Sequence, residues 1–141
     1  MSIANIFGVA GTALNAQLIR MNITASNLAN AGTMAPSDAE AFRAKRVVFQ
    51  ALVDKEKTTA GAPYVGGVKV KNIIDDKTTI PKIYEPGHPQ ADNDGYVYKS
   101  NVKEVSEMVD MMASARSYQN NVEVVNTARE LMLRTIDIVK A

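Results

Sequence analysis

The closing stretch, residues 96–141, reads YVYKSNVKEVSEMVDMMASARSYQNNVEVVNTARELMLRTIDIVKA and contains no Gly and no Pro, although the segment before it has both in abundance. Mostly apolar residues recur along it in steps of three or four, at Val105, Met108, Met112, Ala115, Tyr118, Val122, Val125, Ala128, Met132, Ile136 and Val139. That spacing puts them on one face of a single long helix. With residues 102–139 all helical the element is about 57 Å long, against a radius of gyration of roughly 14 Å for a compact domain of this length. Such a helix cannot bury its seam inside its own domain. It needs a second long helix, from this chain or from another.

Residues 3–30 offer one. Apolar residues at Ile3, Phe7, Ala10, Leu14, Leu18, Met21, Ala25 and Leu28 form a seam close to a heptad repeat. From Met1 to Thr33 the only ionisable side chain is Arg20, and the other polar positions are Asn, Gln, Ser and Thr. A solvated helix face normally carries Lys and Glu. An uncharged polar face is better suited to enclosure, where amides and hydroxyls bond their neighbours without the desolvation cost of a charge. A moderately exposed amphipathic helix in a monomer is the plainer alternative. Asn30–Thr33 followed by Pro36 ends the helix, with Gly32 expected to supply a left-handed cap.

Between the helices the pattern changes to strands and turns. Residues 34–46 read as loop, with Arg43, Lys45 and Arg46 as a solvated basic edge. Val47–Val53 is a short apolar run suited to a strand, and a polar loop follows from Asp54 to Pro63. Val68–Ile73 alternates strictly, which predicts one apolar face and one facing water. Ile80, Ile83 and Tyr84 suggest a third strand, confined to an edge by Pro81, and Tyr96–Tyr98 a fourth. Glu85–Gly95 between them is a dense run of turn formers. The class is α+β, with residues 1–33 and 101–141 helical and residues 34–100 a small β-rich middle domain.

Composition narrows the function. A net charge of +1 over 141 residues argues against an extended phosphate-binding surface, so nucleic acid is not an expected partner. Without Cys there is no disulfide, thiolate chemistry or Cys-ligated zinc. The first basic residue, Arg20, follows the apolar N-terminal region, which is itself broken by Asn5, Thr12, Asn15 and Gln17. That order predicts neither a cleaved secretory signal nor a membrane span. His88, near Asp92 and Asp94, is the best candidate for a base or a metal corner, yet it is the single His of the chain. The Gly of Asp92–Asn93–Asp94–Gly95 also comes too early for a calcium loop of the EF-hand type. No catalytic residue, cofactor or metal is expected. Met108, Met111 and Met112 leave one alternative open, a coiled-coil adaptor that grips a peptide through a Met-rich seam.

Three stretches together resemble the bacterial flagellar axial, or basal-body rod, proteins. Ser26–Thr33, containing Asn27, Leu28, Ala29 and Asn30, is similar to the family's N-terminal signature. Glu107–Val122, continuing through Asn126–Ala128, resembles its C-terminal helix. Tyr84–Pro89, with Pro86, Gly87 and Pro89, followed by Asp92, Gly95 and Tyr96, narrows the resemblance to a proximal-rod member. One departure is Ser100, where the family usually has Pro, and the segment Lys55–Gly66 is a variable linker by resemblance. The resemblance implies a structural subunit that stacks helically with other rod proteins and copies of itself. It implies terminal helices paired as an antiparallel coiled-coil-like rod domain around the export channel. It further implies passage through the flagellar type III export apparatus without a cleaved signal, and a place in the proximal rod across the periplasm. On this reading the seams of the two helices are the assembly surface.

Overall fold

The computed structural model describes residues 3–52 and 66–140, with side chains from Asn5 onward. Its elements are α1 (Ile3–Ala29), β1 (Met34–Ala35), β2 (Lys45–Ala51), β3 (Val68–Asp75), β4 (Lys82–Tyr84), β5 (Tyr96–Lys99) and α2 (Glu104–Lys140). The class is α+β. Val53 of the expected first strand, and the linker up to residue 65, lie outside the described residues.

α2 runs for 37 residues without a break, about 55 Å, whereas the 27 residues of α1 span about 40 Å. Glu104 and Glu107 stand in the first turn of α2 and Lys140 in the last, the arrangement that the helix dipole favours at each end. α1 does not end on a left-handed Gly32. The described glycines with positive φ are Gly66, Gly67 and Gly95. Instead the chain tightens into i→i+3 turns: Asn30 N–H donates to the Asn27 carbonyl at 3.1 Å and Ala31 N–H to that of Leu28 at 3.2 Å.

The β residues form two sheets. β1, β5 and β4 make an antiparallel three-stranded sheet with β5 in the middle. β4 is at an edge directly after Pro81, where the missing proline N–H breaks no ladder. Part of the stretch read as loop is strand, because Met34–Ala35 pairs with Lys99 and Tyr98, and β2 already begins at Lys45.

β2 and β3 pair separately as an antiparallel ribbon, from Lys45 opposite Asp75 to Ala51 opposite Val68. The register shifts at Val48/Phe49, which face Asn72 and Val70, so Lys71 is an extra residue in β3. This bulge resets the alternation. Val68 and Val70 are half-buried, but Ile73 and Ile74 beyond the bulge are exposed. The ribbon lies along α1, with Val68 N–H donating to Thr12 Oγ1 at 3.2 Å. Gly67 has to be glycine there: its φ is +132°, and a Cβ would stand 2.8 Å from Thr12 Oγ1.

Among the described elements the backbone of α2 lies alongside α1 alone, and its tie to the strands runs through the Arg46 side chain of β2. Late residues of α1 meet early residues of α2, as in Asn27 with Glu107 and Arg20 with Asp110. Early residues of α1 meet late ones, as in the crevice shared by Ile6, Thr127, Ala128 and Leu131. The remaining core lies at the helix ends, where Ala31, Ala44 and Val102 cluster with Phe42, and Ala35, Ala41 and Ile80 with Tyr98.

Gly95 closes the turn ahead of β5 at φ +80°, with the Cβ position 3.0 Å from both Pro86 Cβ and Tyr84 Cε2. Gly95→Ala combines a left-handed conformation with two close contacts. It should lower folding stability by more than about 1 kcal/mol in chemical denaturation, whereas Gly87→Ala, which meets open space, should cost much less.

Candidate functional site

The site that unites the elements is the junction where α1 ends and α2 begins. Glu107, one turn into α2, has a relative exposure of 0%, and its carboxylate accepts two hydrogen bonds. Arg46 Nη1 of β2 donates to Oε1 at 2.7 Å, and Asn27 Nδ2 of α1 donates to Oε2 at 2.9 Å. A buried charge is tolerated only when it is paired and hydrogen-bonded, and both conditions hold here.

Asn27 is itself fully used. Its Oδ1 accepts from Lys45 N–H at 2.8 Å and its Nδ2 also donates to the Lys45 carbonyl at 2.9 Å, so the side-chain amide pairs with the strand backbone as a neighbouring strand would. Asp in this position would lack the donor and Gln would displace the amide. Arg46 continues the network, with Nη1 3.6 Å from Asp110 Oδ2 and Nε 3.5 Å from Asp76 Oδ2. Arg20 Nη2 meets the other oxygen of Asp110 at 3.0 Å. The lone charge of the N-terminal helix therefore ends on the carboxylate one turn above Glu107. Arg46, expected on a solvated basic edge, is instead a bridge between three carboxylates.

A second set of bonds fixes the entry to α2. Asn101 Oδ1 accepts from Ala44 N–H at 2.7 Å, and its Nδ2 donates to the carbonyls of Asp76 and Thr78, each at 3.1 Å. Ser100 is buried. It donates its N–H to the Thr33 carbonyl at 3.1 Å and its hydroxyl to that of Ala31 at 2.9 Å. A proline here would lack the first donor and a hydroxyl for the second, so hydrogen bonds take over the positioning that a proline ring would give.

The turn residues proposed from sequence serve the backbone. Asp92 Oδ1 accepts from Asp94 N–H at 3.0 Å and Tyr96 N–H at 2.8 Å, and His88 Nδ1 accepts from Gln90 N–H at 3.1 Å. Tyr96 packs edge-on against Tyr84, with centroids 5.1 Å apart, under the Lys82 ammonium. Pro86, Gly87 and Pro89 are exposed beside them, Ala29 is the last residue of α1, and Asn30 Nδ2 bonds the Ser26 carbonyl at 2.8 Å. Among the described residues no group of three His, Cys, Asp or Glu side chains is placed to hold a metal ion.

The expected seams and the fully buried residues coincide only in part: Ala10 and Ala128 belong to both, whereas Ala16, Thr24, Asn27, Glu107 and Ser114 lie off the seams. Among the described residues, α1 buries Ala10, Ala16, Thr24 and Asn27, and α2 buries Glu107, Ser114 and Ala128. Each of these is small or polar. Phe7, Leu14, Met21, Leu28, Tyr118, Val122 and Val125 are half-buried, whereas Leu18, Met132, Ile136 and Val139 are exposed. Val105, Met108 and Met112 are 76%, 48% and 58% exposed. Ile3 opens α1, but its side chain is outside the described set. One residue along a helix turns the face by about 100°, so a line one position away points to a different neighbour. Small residues let two helices approach closely, and an apolar count alone does not find that line. The signals that could have found it were a single Arg in an uncharged helix and a Glu inside the Met-rich run.

Comparison with known proteins gives the class first. Residues 7–34 match the model of the "Flagella basal body rod protein" family, and residues 93–138 match "Flagellar basal body rod FlgEFG protein C-terminal". Those segments are the two helices with the junction between them. Over 138 residues, 98% of each chain, the sequence is 47% identical to the flagellar basal-body rod protein FlgC of Salmonella typhimurium and 46% identical to that of Escherichia coli O157:H7. It is 42% identical over 140 residues to the one from Buchnera aphidicola subsp. Acyrthosiphon pisum. The chain belongs to the FlgC family of flagellar basal-body rod proteins. It is a structural subunit of the basal-body rod, located in the flagellar basal body, and not an enzyme. Nothing in these matches supports the peptide-adaptor alternative.

Removing the carboxylate in Glu107→Ala leaves Asn27 short of one acceptor and Arg46 without its nearest partner. Arg46 is 37% exposed and regains water, which puts the loss at about 2 to 4 kcal/mol by urea denaturation. Arg43→Ala, which breaks an exposed pair with Asp38, should cost below about 1 kcal/mol.

Asp76 supplies a pH test. The Thr78 hydroxyl, and after it the Thr78 N–H, hold its carboxyl below the usual carboxylate range; desolvation opposes them, and Arg46 adds a smaller pull downward. Its contribution is therefore full above that range and is lost as pH falls through the lowered value. The stability difference between the wild type and Asp76→Asn should be constant above about pH 5 and shrink below about pH 4.

Proposed function

We propose that the chain works as a helically stacked subunit of the proximal rod, contacting copies of itself and other rod proteins to form the torque-transmitting shaft and the wall of the export channel. α1 and α2 act as an antiparallel coiled-coil-like pair, formed by residues 1–33 and 101–141, and residues 34–100 form the β-rich part outside it. The subunit is made in the cytoplasm, leaves through the type III export apparatus without a cleaved signal, and joins the rod in the periplasm. No described helix is long and apolar enough to cross a membrane.

The observation that carries this reading is the apolar surface the lone subunit leaves open. Val105, Met108 and Met112 on α2, and Leu18 at 46% exposure on α1, face away from the buried lines of the pair. Farther along α2 every residue from Arg129 to Lys140 is exposed, including Leu131, Met132, Leu133, Ile136, Ile138 and Val139. Exposed apolar surface of this extent marks a site of association. Two unlike patches at opposite ends of one long helix suit an open, head-to-tail assembly better than a closed dimer. The half-buried Phe7, Leu14, Met21, Leu28, Tyr118, Val122 and Val125 flank these patches and extend the assembly seam. Side-chain packing along that seam supplies the affinity, and no reacting group is required.

Met112→Glu places a charge on the open face without touching the buried interior. Its circular dichroism and melting temperature should match the wild type to within a few degrees, while swimming in soft agar by cells carrying only this variant should be lost. Normal swimming would exclude Met112 from the assembly surface.

A further inference from the structure

The buried lines of α1 and α2 pose a problem of alignment. On α1 they carry Ala10, Thr24 and Asn27, and on α2 Glu107, Ser114 and Ala128, Ala16 being on the side covered by the β2–β3 ribbon. Ala and Ser make shallow knobs that fit shallow holes, and they fit nearly as well after one helix slides by a turn. The large residues at heptad spacing, Phe7, Leu14, Met21 and Leu28 on α1 and Tyr118 and Val125 on α2, are only half-buried, so they hold the register less firmly than enclosed a and d residues would. One polar group differs. Glu107 has its two acceptor bonds only when Asn27 and Arg46 stand opposite, and a slide of one turn, about 5.4 Å, would leave its charge buried and unpaired.

We infer that Glu107, clamped by Asn27 and Arg46, is the register-determining residue of the helix pair. Asn27 cannot follow a sliding α2, because its amide is bonded on both sides to the backbone of Lys45. Arg46 is held by β2, whose ladder with β3 continues through Asp76 N–H to the Ala44 carbonyl at 2.7 Å. The clamp therefore ties α2 to the strand ribbon as well as to α1. Arg20 with Asp110, one turn farther along, repeats the constraint with a half-exposed pair.

The consequence concerns the far end of the molecule. Where α1 stops against α2 depends on the register, and so does the length of α2 that projects beyond it. A one-turn slide would change that projection by about 5.4 Å and move the exposed Leu131–Val139 segment by the same amount. This consequence rests on the rod-subunit reading. The register role itself does not, and can be tested on the isolated subunit.

The chain has no cysteine, so Ser26→Cys on α1 and Arg129→Cys on α2, both at exposed positions, allow specific spin labelling of the full-length subunit. Pulsed electron paramagnetic resonance should give one narrow distance between the labels with Glu107 present. In Glu107→Leu, which fills the space without the charge, the helices should persist by circular dichroism while a second distance population appears, displaced by about one helical turn. A single unchanged distance in a folded Glu107→Leu subunit would overturn the assignment. Should that variant not fold, Glu107→Gln decides by the same criterion, because it keeps the shape and one acceptor but removes the charge.

Discussion

One carboxylate placed out of water constrains this molecule more than any apolar contact does. Glu107 is enclosed at the point where α1, α2 and the β2–β3 ribbon converge, and its two oxygens take one bond from each of the other two. Removing an ion from water costs several kcal/mol, and only good geometry recovers it. The three elements are therefore compatible in one arrangement. The surrounding bonds follow the same rule: Asn27 is saturated by Lys45 and Glu107, and Asn101 by Ala44, Asp76 and Thr78. Side-chain amides here replace the hydrogen bonding that a continuous sheet would have supplied.

The molecule is consequently graded along its length. At the junction the chain is cross-braced by polar groups and two small apolar clusters. Away from it the helix pair becomes sparser, until the end of α2 projects with apolar side chains uncovered. A firm junction and an incomplete tip are consistent with a subunit whose interior is finished by its neighbours. The uncharged surface of α1 is explained in part within the chain, since the ribbon covers the side bearing Thr12 and Ala16. Its Leu18 side remains open.

Much of the architecture was legible in the residues. A run of 37 helical residues without Gly or Pro, a second apolar repeat near the start, and alternation after Gly66–Gly67 place both helices and the β3 strand, because those signals are local and periodic. The turn before β5 was legible for the same reason, Asp, Gly and Pro having intrinsic turn preferences. The bulge at Lys71 was not, because it depends on which residues of β2 stand opposite. Nor was the tight ending of α1: Gly32 permits a left-handed cap without requiring one.

By itself, then, the sequence determined which segments are helical, that the closing helix is too long to bury its face within one domain, and that the surface of α1 is almost free of charge, since each of these follows from spacing and composition along the chain. Only the tertiary structure decided which line of each helix faces the other. The apolar repeats that include Leu18, Met108 and Met112 are the stronger pattern, yet those residues stay exposed, while Asn27, Glu107 and Ser114, which stand off the repeats, are buried beside Ala10 and Ala128, which belong to them. The physical reason is that a buried charge must meet Arg46 and Asn27, which lie 61 and 80 residues away along the chain. Apolar side chains accept many partners, including other subunits, whereas this carboxylate accepts one arrangement. Its demand sets the phase of both helices.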